Sequence, residues 1–285
     1  AGVPSNAMTS EQPLPADVPA DRYTHGHHAS VVSRHARRTA ECEAAYLLPH
    51  LRPGMRLLDV GCGPGTITTG LARAVAPGEV VGIDVSADVV ENARTHAAEV
   101  GVTNARFETA NVYDLPYETA SFDVAHAHQV MQHLADPVAA LTEMRRVLRP
   151  GGLVAVRDAD YATMTAWPRQ ASIDRWLEVY HAVAARNGAD PDAGRRLRSW
   201  VSAAGFVDLQ VTGVVELMAE PGEAADWARS WAERAVHSNY KSQAIEYGIA
   251  TAEEIDAISD GWRTWADRPE AFFMFVHIEC IGRVP

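Results

Sequence analysis

Apolar positions along the chain follow two periods that alternate between about residues 55 and 160. The segments Arg56–Val60, Val80–Asp84, Ala105–Thr109, Phe122–Ala127 and Leu153–Arg157 have the length and apolar content of buried strands. Segments with helical spacing separate them. Thr66–Val75 is the first. The second has Val89, Val90, Ala93, Ala97 and Val100 on one side, with Ser86 as its N-cap and Gly101 as a left-handed end. The third is Pro137–Leu148, with Val138, Leu141, Met144 and Leu148 inward. Pro77-Gly78 and Pro150-Gly151-Gly152 mark turns. Strands spaced by helices predict parallel pairing with right-handed crossovers, hence a doubly wound α/β fold.

The flanks read differently. Val32, Ala36, Ala40, Ala44, Leu47, Leu48 and Leu51 share one helical face and predict a helix over 29–51, stopped by Pro53-Gly54. Downstream, Ile173–Arg186 and Asp192–Ala203 read as helices and Phe206–Leu217 as a strand. Residues 221–268 read as mostly helical, and Phe272–Ile281 as a final strand. Residues 1–7 precede Met8 and read as an artificial cloning remnant, and the Pro-, Ala- and acid-rich residues up to 20 as a flexible start. Residues 21–285 then form one domain, with 21–51 as an N-terminal helical flap and 221–268 as a helical cap insertion.

A chain of 285 residues with 47% apolar content suits one α/β domain with insertions. The net charge of −12 argues against a nucleic-acid partner. The short basic stretches Arg34–Arg38 and Arg195–Arg198 read as solvated helix faces. Three cysteines in no metal-ligand spacing predict a reducing, cytoplasmic setting. No apolar run reaches the ~18 residues that span a bilayer, so no membrane partner is expected. A homodimer is among the assemblies the sequence allows.

The densest chemistry lies in Leu57-Leu58-Asp59-Val60-Gly61-Cys62-Gly63-Pro64-Gly65-Thr66, a strand running through a glycine turn into a helix. Glycines let a ligand lie against the backbone, and the helix start offers N–H groups and a positive dipole end. Dinucleotides and S-adenosylmethionine compete for such a site. The dinucleotide pattern is G-x-G-x-x-G, whereas this turn reads G-x-G-x-G after an acid. Asp59 would repel a pyrophosphate but can face the amino group or sulfonium of a zwitterionic ligand, which favours S-adenosylmethionine. Asp84, at the end of the second strand, can accept hydrogen bonds from both ribose hydroxyls. Asn111-Val112, after the third strand, suits an adenine edge.

These segments resemble the class I S-adenosylmethionine-dependent methyltransferases, in the branch similar to ubiquinone/menaquinone-biosynthesis methyltransferases. The resemblance is carried by Leu58–Gly65, Gly82-Ile83-Asp84-Val85-Ser86, Asn111–Tyr117, Ser121-Phe122-Asp123-Val124, Gln132-His133-Leu134 and Arg146–Gly152. It covers residues 55–160 and implies a Rossmann-like, seven-stranded sheet of order 3-2-1-4-5-7-6 with the last strand antiparallel. It also implies a cofactor held by Asp59, Gly61, Cys62, Gly63, Gly65, Asp84, Val85, Ser86, Asn111 and Val112. Asn111 stands where relatives usually carry Asp, and Ala127-His128 where they often carry Ser-Asn. By the same likeness His128 faces the cofactor, and Tyr23 and His28 touch its methionine end.

Methyl transfer needs a nucleophile aligned in line with the S–CH₃ bond, with water excluded. A neutral hydroxyl must also lose a proton, often to histidine. His126, His128 and His133 flank the carboxyl end of the fourth strand, with His126 and His128 on one face. His133 is the preferred base, with His128 as the second catalytic candidate. A phenolate or carboxylate acceptor would need no base. Asp158, Asp160 and Tyr161 follow the fifth strand and could bind a polar substrate. His25, His27 and His28 lack the acid or cysteine partners of a zinc site, and no metal is expected. Trp227 and Trp231, one helical turn apart, fit either core packing or an aromatic lid. The expected activity is methyl transfer to O, N or C of a small organic acceptor. The alternatives are a dinucleotide-dependent oxidoreductase and a non-catalytic S-adenosylmethionine-binding module.

Overall fold

The computed structural model describes residues 38–285. Seven strands form one sheet: β1 Leu57–Val60, β2 Val80–Asp84, β3 Ala105–Thr109, β4 Phe122–His128, β5 Leu148–Trp167, β6 Val207–Met218 and β7 Phe272–Arg283. Their order is β3-β2-β1-β4-β5-β7-β6. The first five strands pair in parallel. The last strand, β7, runs antiparallel between β5 and β6. Order and direction agree with the family expectation.

The helices are α1 Ala40–Glu43, α2 Thr66–Val75, α3 Ala87–Glu99, α4 Pro137–Val147, α5 Ala171–Arg186, α6 Leu197–Ala203, α7 Pro221–His237, α8 Asn239–Glu246 and α9 Ala252–Ala266. Local chemistry sets their starts. The Ser86 hydroxyl accepts from the Val89 N–H, and the Asp136 carboxylate accepts from the Ala139 N–H ahead of Pro137. Thr251 and Glu254 close a reciprocal capping box on α9.

Strand alternation gives the sheet two apolar faces. One carries Leu58, Val60, Ala125, Ala127, Val154 and Val156 against Leu141 and Met144 of α4 and Leu197 and Val201 of α6. The other carries Leu57, Val124, Ala155 and Ile281 against Ala40 of α1 and Leu71 and Val75 of α2.

Two expectations change. Within the described residues the 29–51 helix is a single turn, Ala40–Glu43, followed by irregular chain and a 3₁₀ turn at Leu48–His50. Pro49, without an N–H, cannot continue an α-ladder. Its apolar positions are still used, since Ala40, Ala44 and Leu47 are buried. The fifth strand spans 20 residues instead of five, because β7 supplies partners from Leu153 to Asp160 and again from Thr165 to Trp167. Arg195, Arg196 and Arg198 are exposed as expected, and the half-exposed Arg195 guanidinium also holds both oxygens of Asp160 at 2.6 Å.

Helices α7 to α9 lie between β6 and β7 and pack on α5 around an aromatic core. Trp176 sits 4.4 Å from Trp231 and 5.3 Å from Trp262 between ring centroids, and Tyr161 sits 4.8 Å from Tyr180. Trp227, Trp231, Trp262 and Trp265 are all buried there. The tryptophans of this region therefore pack against one another as core.

Candidate functional site

The parallel strands β1, β2, β3 and β4 end along one edge of the sheet, the edge at which doubly wound folds bind ligands. β1 leads into Gly61-Cys62-Gly63-Pro64-Gly65, with φ of +65°, +53° and +80° at the three glycines. Gly61 lies against Val130, and a Cβ there would collide with a valine methyl. Gly65 caps α2 in the left-handed region, where a Cβ would stand 3.0 Å from that of Ala93. At Gly63 a Cβ would meet nothing within 4 Å. The turn therefore packs at its two ends and is open in the middle. The N-terminus of α2 takes no side-chain cap, as an anion-accepting helix end requires.

Asp84 reaches this turn from β2. Its Oδ2 accepts the Gly63 N–H at 3.3 Å and its Oδ1 accepts the Ser86 N–H at 3.0 Å. The carboxylate thereby sits beside the open part of the turn. Val85 follows with 70% of its surface exposed, an apolar plate at the same edge. From β3, Asn111 uses its Oδ1 to accept the Tyr113 N–H at 3.0 Å, and Val112 is buried beneath. Cys62 is buried in a small cluster with Val90, Ala93 and Phe107. Burial, followed by the charges of Asp59 and Asp84, pushes its thiol well above the usual range. Gly61, Cys62, Gly63, Gly65, Asp84, Val85, Ser86, Asn111 and Val112 thus converge along one edge.

Asp59 takes a different place from the expected one. It is 2% exposed; its Oδ2 accepts the Thr68 hydroxyl at 2.6 Å and its Oδ1 lies 2.7 Å from Nδ1 of His126. Both oxygens are engaged inside the protein, tying β1 to α2 and β4. The acid expected to face the ligand thus holds the strand beneath the turn.

His128 follows His126 on the same face of β4. Its Nε2 is 3.7 Å from the Glu43 carboxylate of α1, and its ring centroid lies 6.0 Å from that of His277. This contact opens onto a charged cluster that sequence reading did not find. The buried Arg157 of β5 pairs with Glu43, with Glu216 of β6 at 2.7 Å and with Glu279 of β7 at 3.5 Å. Thr212 donates to Glu279 at 2.6 Å, and Nδ1 of His277 is 3.2 Å from Glu216. The His277 contact, with Arg157, holds Glu216 down to about 2. Burial pushes His277 down to about 4. The available signal is a charged residue among apolar neighbours in each of three strands, at Arg157, Glu216 and Glu279.

After β4 the chain makes a 3₁₀ turn, Met131–His133, seated beside the glycine loop through Val130. Burial, followed by the charge of Arg38, pushes His133 down to about 3. Asp158 of β5 is wholly buried, and its Oδ1 accepts the Gln132 N–H at 3.2 Å. Burial raises its carboxyl to about 8. Asp158 and Asp160, weighed as binders of a polar substrate, are therefore enclosed, the second under Arg195. Tyr161 stacks within the aromatic core. Tyr23 and His28, with His25 and His27, lie outside the described residues. Among the described residues no three potential metal ligands cluster, and no helix is long and apolar enough to cross a membrane.

The fold and this edge define an α/β protein that holds a nucleoside-bearing ligand over a glycine turn. Residues 51–205 match the family model described as a methyltransferase domain. The chain is 32% identical over 263 residues to an uncharacterized methyltransferase of Schizosaccharomyces pombe, covering 88% of this chain and 93% of the relative. Over 124 residues it is 34% identical to a demethylmenaquinone methyltransferase of Staphylococcus aureus, covering 43% of this chain and 51% of that one. A putative methyltransferase from Bacillus halodurans shares the fold, with a TM-score of 0.57 at 17% identity, covering 86% and 99%. The chain belongs to the methyltransferase-domain family and is an S-adenosylmethionine-dependent methyltransferase. The oxidoreductase alternative is thereby set aside.

Proposed function

We propose that this enzyme moves the methyl group of S-adenosylmethionine to an oxygen, nitrogen or carbon of a small organic molecule. The observation that carries the reading is the open left-handed Gly63 with the Asp84 carboxylate beside it. Bare backbone and a carboxylate at one strand edge suit a ligand with a nucleoside at one end and an amino acid at the other. When bound, the cofactor supplies an electrophilic methyl on a sulfonium.

The chain's own residues bind, orient and exclude water. Gly61, Gly63 and Gly65 give the backbone its close approach. Asp84, beside the open part of the turn, accepts the ribose hydroxyls. Val85 offers an apolar face to the adenine, and Asn111 and Val112 meet its edge. Cys62 fills the space under the turn, and Ser86 fixes α3. His128 lies toward the methionine end. The helices within 221–268 roof the acceptor. The strongly negative net charge of −12 supports a small acceptor over a nucleic acid. Cys42, Cys62 and Cys280 are all free thiols, which supports a reducing compartment.

Isothermal titration of S-adenosylmethionine into the wild type and Asp84→Ala tests the site. Binding by the wild type, weakened by the substitution, supports it; no wild-type binding refutes it. Release of S-adenosylhomocysteine across a panel of phenols, amines, carboxylic acids and activated carbons then identifies the acceptor.

A further inference from the structure

Beyond the ends of the parallel strands, β5, β6 and β7 continue as a three-stranded extension of the sheet. Opposed residues of antiparallel strands point to the same side. One side carries Met218, Phe273 and Phe275, buried in the aromatic core against α5, α7 and α9. The other side carries Val215 opposite Val276, Leu217 opposite Met274, Val211 further along β6, and Trp167 at the margin. An antiparallel sheet covered on one face ordinarily alternates apolar inward with polar outward. This extension is apolar outward as well. Val211, Val215 and Leu217 are 43%, 54% and 52% exposed, Trp167 is exposed, and Met274 and Val276 are half-buried. The six together open roughly 500 Å² of surface, at the upper end of what a monomer leaves uncovered. Among the described residues β6 is also the last strand of the sheet, so its outer edge has no neighbour.

We propose that this face docks a second copy of the chain, the two patches packing face to face across a two-fold axis. The proposal concerns assembly and stands apart from the methyl-transfer reading. Shape, area and charge select a second copy. A two-fold contact needs one patch that complements itself, and a flat apolar sheet face does so at the spacing of about 10 Å between packed sheets. The six side chains supply more than half of the roughly 800 Å² that each partner gives to a standard interface. The chain carries a net charge of −12, so two copies repel over most of their surface, whereas none of these six side chains is charged. An anionic bilayer would repel the same acidic chain, which favours a second copy over a lipid surface.

Sedimentation velocity of the full chain, from about 1 to about 100 µM, reads the assembly. The wild type should sediment as two chains at the upper concentration. Val215→Asp places a charge within both patches and should raise the dissociation constant at least about 100-fold, leaving a single chain. Leu217→Asp should do the same. Val100→Asp, exposed at the end of α3 toward the β3 edge of the sheet, should leave the dimer intact. A wild type that stays a single chain throughout overturns the proposal, as does a dimer that survives Val215→Asp and Leu217→Asp in variants folded by circular dichroism. Where those variants fail to fold, hydrogen exchange of the wild type at the two concentrations decides. Slowing confined to 210–218 and 272–278 supports the face, and slowing elsewhere, or none, overturns it. Flotation of a monomeric wild type with phosphatidylcholine vesicles overturns the second copy in favour of lipid. S-adenosylmethionine titration is read separately, and its failure leaves the assembly result standing.

Discussion

Asp59 of β1 and His126 of β4 stand opposite one another in the parallel register, and their side chains meet at 2.7 Å inside the sheet. The second carboxylate oxygen holds Thr68 in α2, so one buried acid joins two strands and the helix that follows the glycine turn. Removing one partner of a buried pair leaves the other uncompensated. Asp59→Ala should therefore destabilise the fold by about 3 kcal/mol, read by urea denaturation. A loss below about 1 kcal/mol would show that the pair contributes little.

Gly61 and Val130 test the seating of the loop. Gly61→Ala suffers both a left-handed φ of +65° and the valine methyl. The first alone costs roughly 1–2 kcal/mol. Val130→Ala in the same chain should recover the steric part and leave about 1 kcal/mol of backbone strain. Melting of the two single variants and the double variant measures this; strict additivity would contradict the contact.

Gly63→Ala separates ligand approach from packing. The methyl meets no protein atom, so stability should fall by only the strain of about 1–2 kcal/mol. Titration should show S-adenosylmethionine affinity falling at least tenfold. Asp84→Ala should weaken the same binding by roughly 10- to 100-fold, the worth of charge-assisted hydrogen bonds. Unchanged affinity in both variants would move the cofactor elsewhere.

Asp158 gives a pH signature. Its folded carboxyl titrates near 8, against about 3.9 for an unfolded aspartate. Between those values the folded state binds the extra proton, so stability falls as pH rises. Asp158→Asn keeps the shape and removes the titration. Relative to wild type, the variant should gain stability from pH 4 to pH 8 and level off above. A parallel pair of stability–pH curves would contradict the buried, protonated state.

The helical region distinguishes core from surface by tryptophan. Trp231→Ala opens the aromatic cluster and should cost about 3–5 kcal/mol. Trp167→Ala, at a site 63% exposed, should stay within about 0.5 kcal/mol. Equal losses would place Trp231 outside the core.

Much of the cofactor half was legible in the chain itself. Strand and helix order between Leu57 and Val147 follows from apolar periodicity, and Ser86, Asp136 and Pro137 mark helix starts by local hydrogen bonding. The three glycines announced a backbone that L side chains resist, and the structure holds all of them at positive φ. Such signals are local, because each needs only neighbours within a few residues. What the sequence could not determine depends on which distant residues face one another. The extent of β5 is set by the length of its pairing with β7. The inward turn of Asp59 follows from His126 lying opposite, 67 residues away. Arg157 gathers carboxylates from α1, β6 and β7, and only the closed sheet brings these together. An acid or a histidine is polar in any sequence. Its partner, its burial and hence its chemistry are decided by strand register and by the low dielectric of the assembled core.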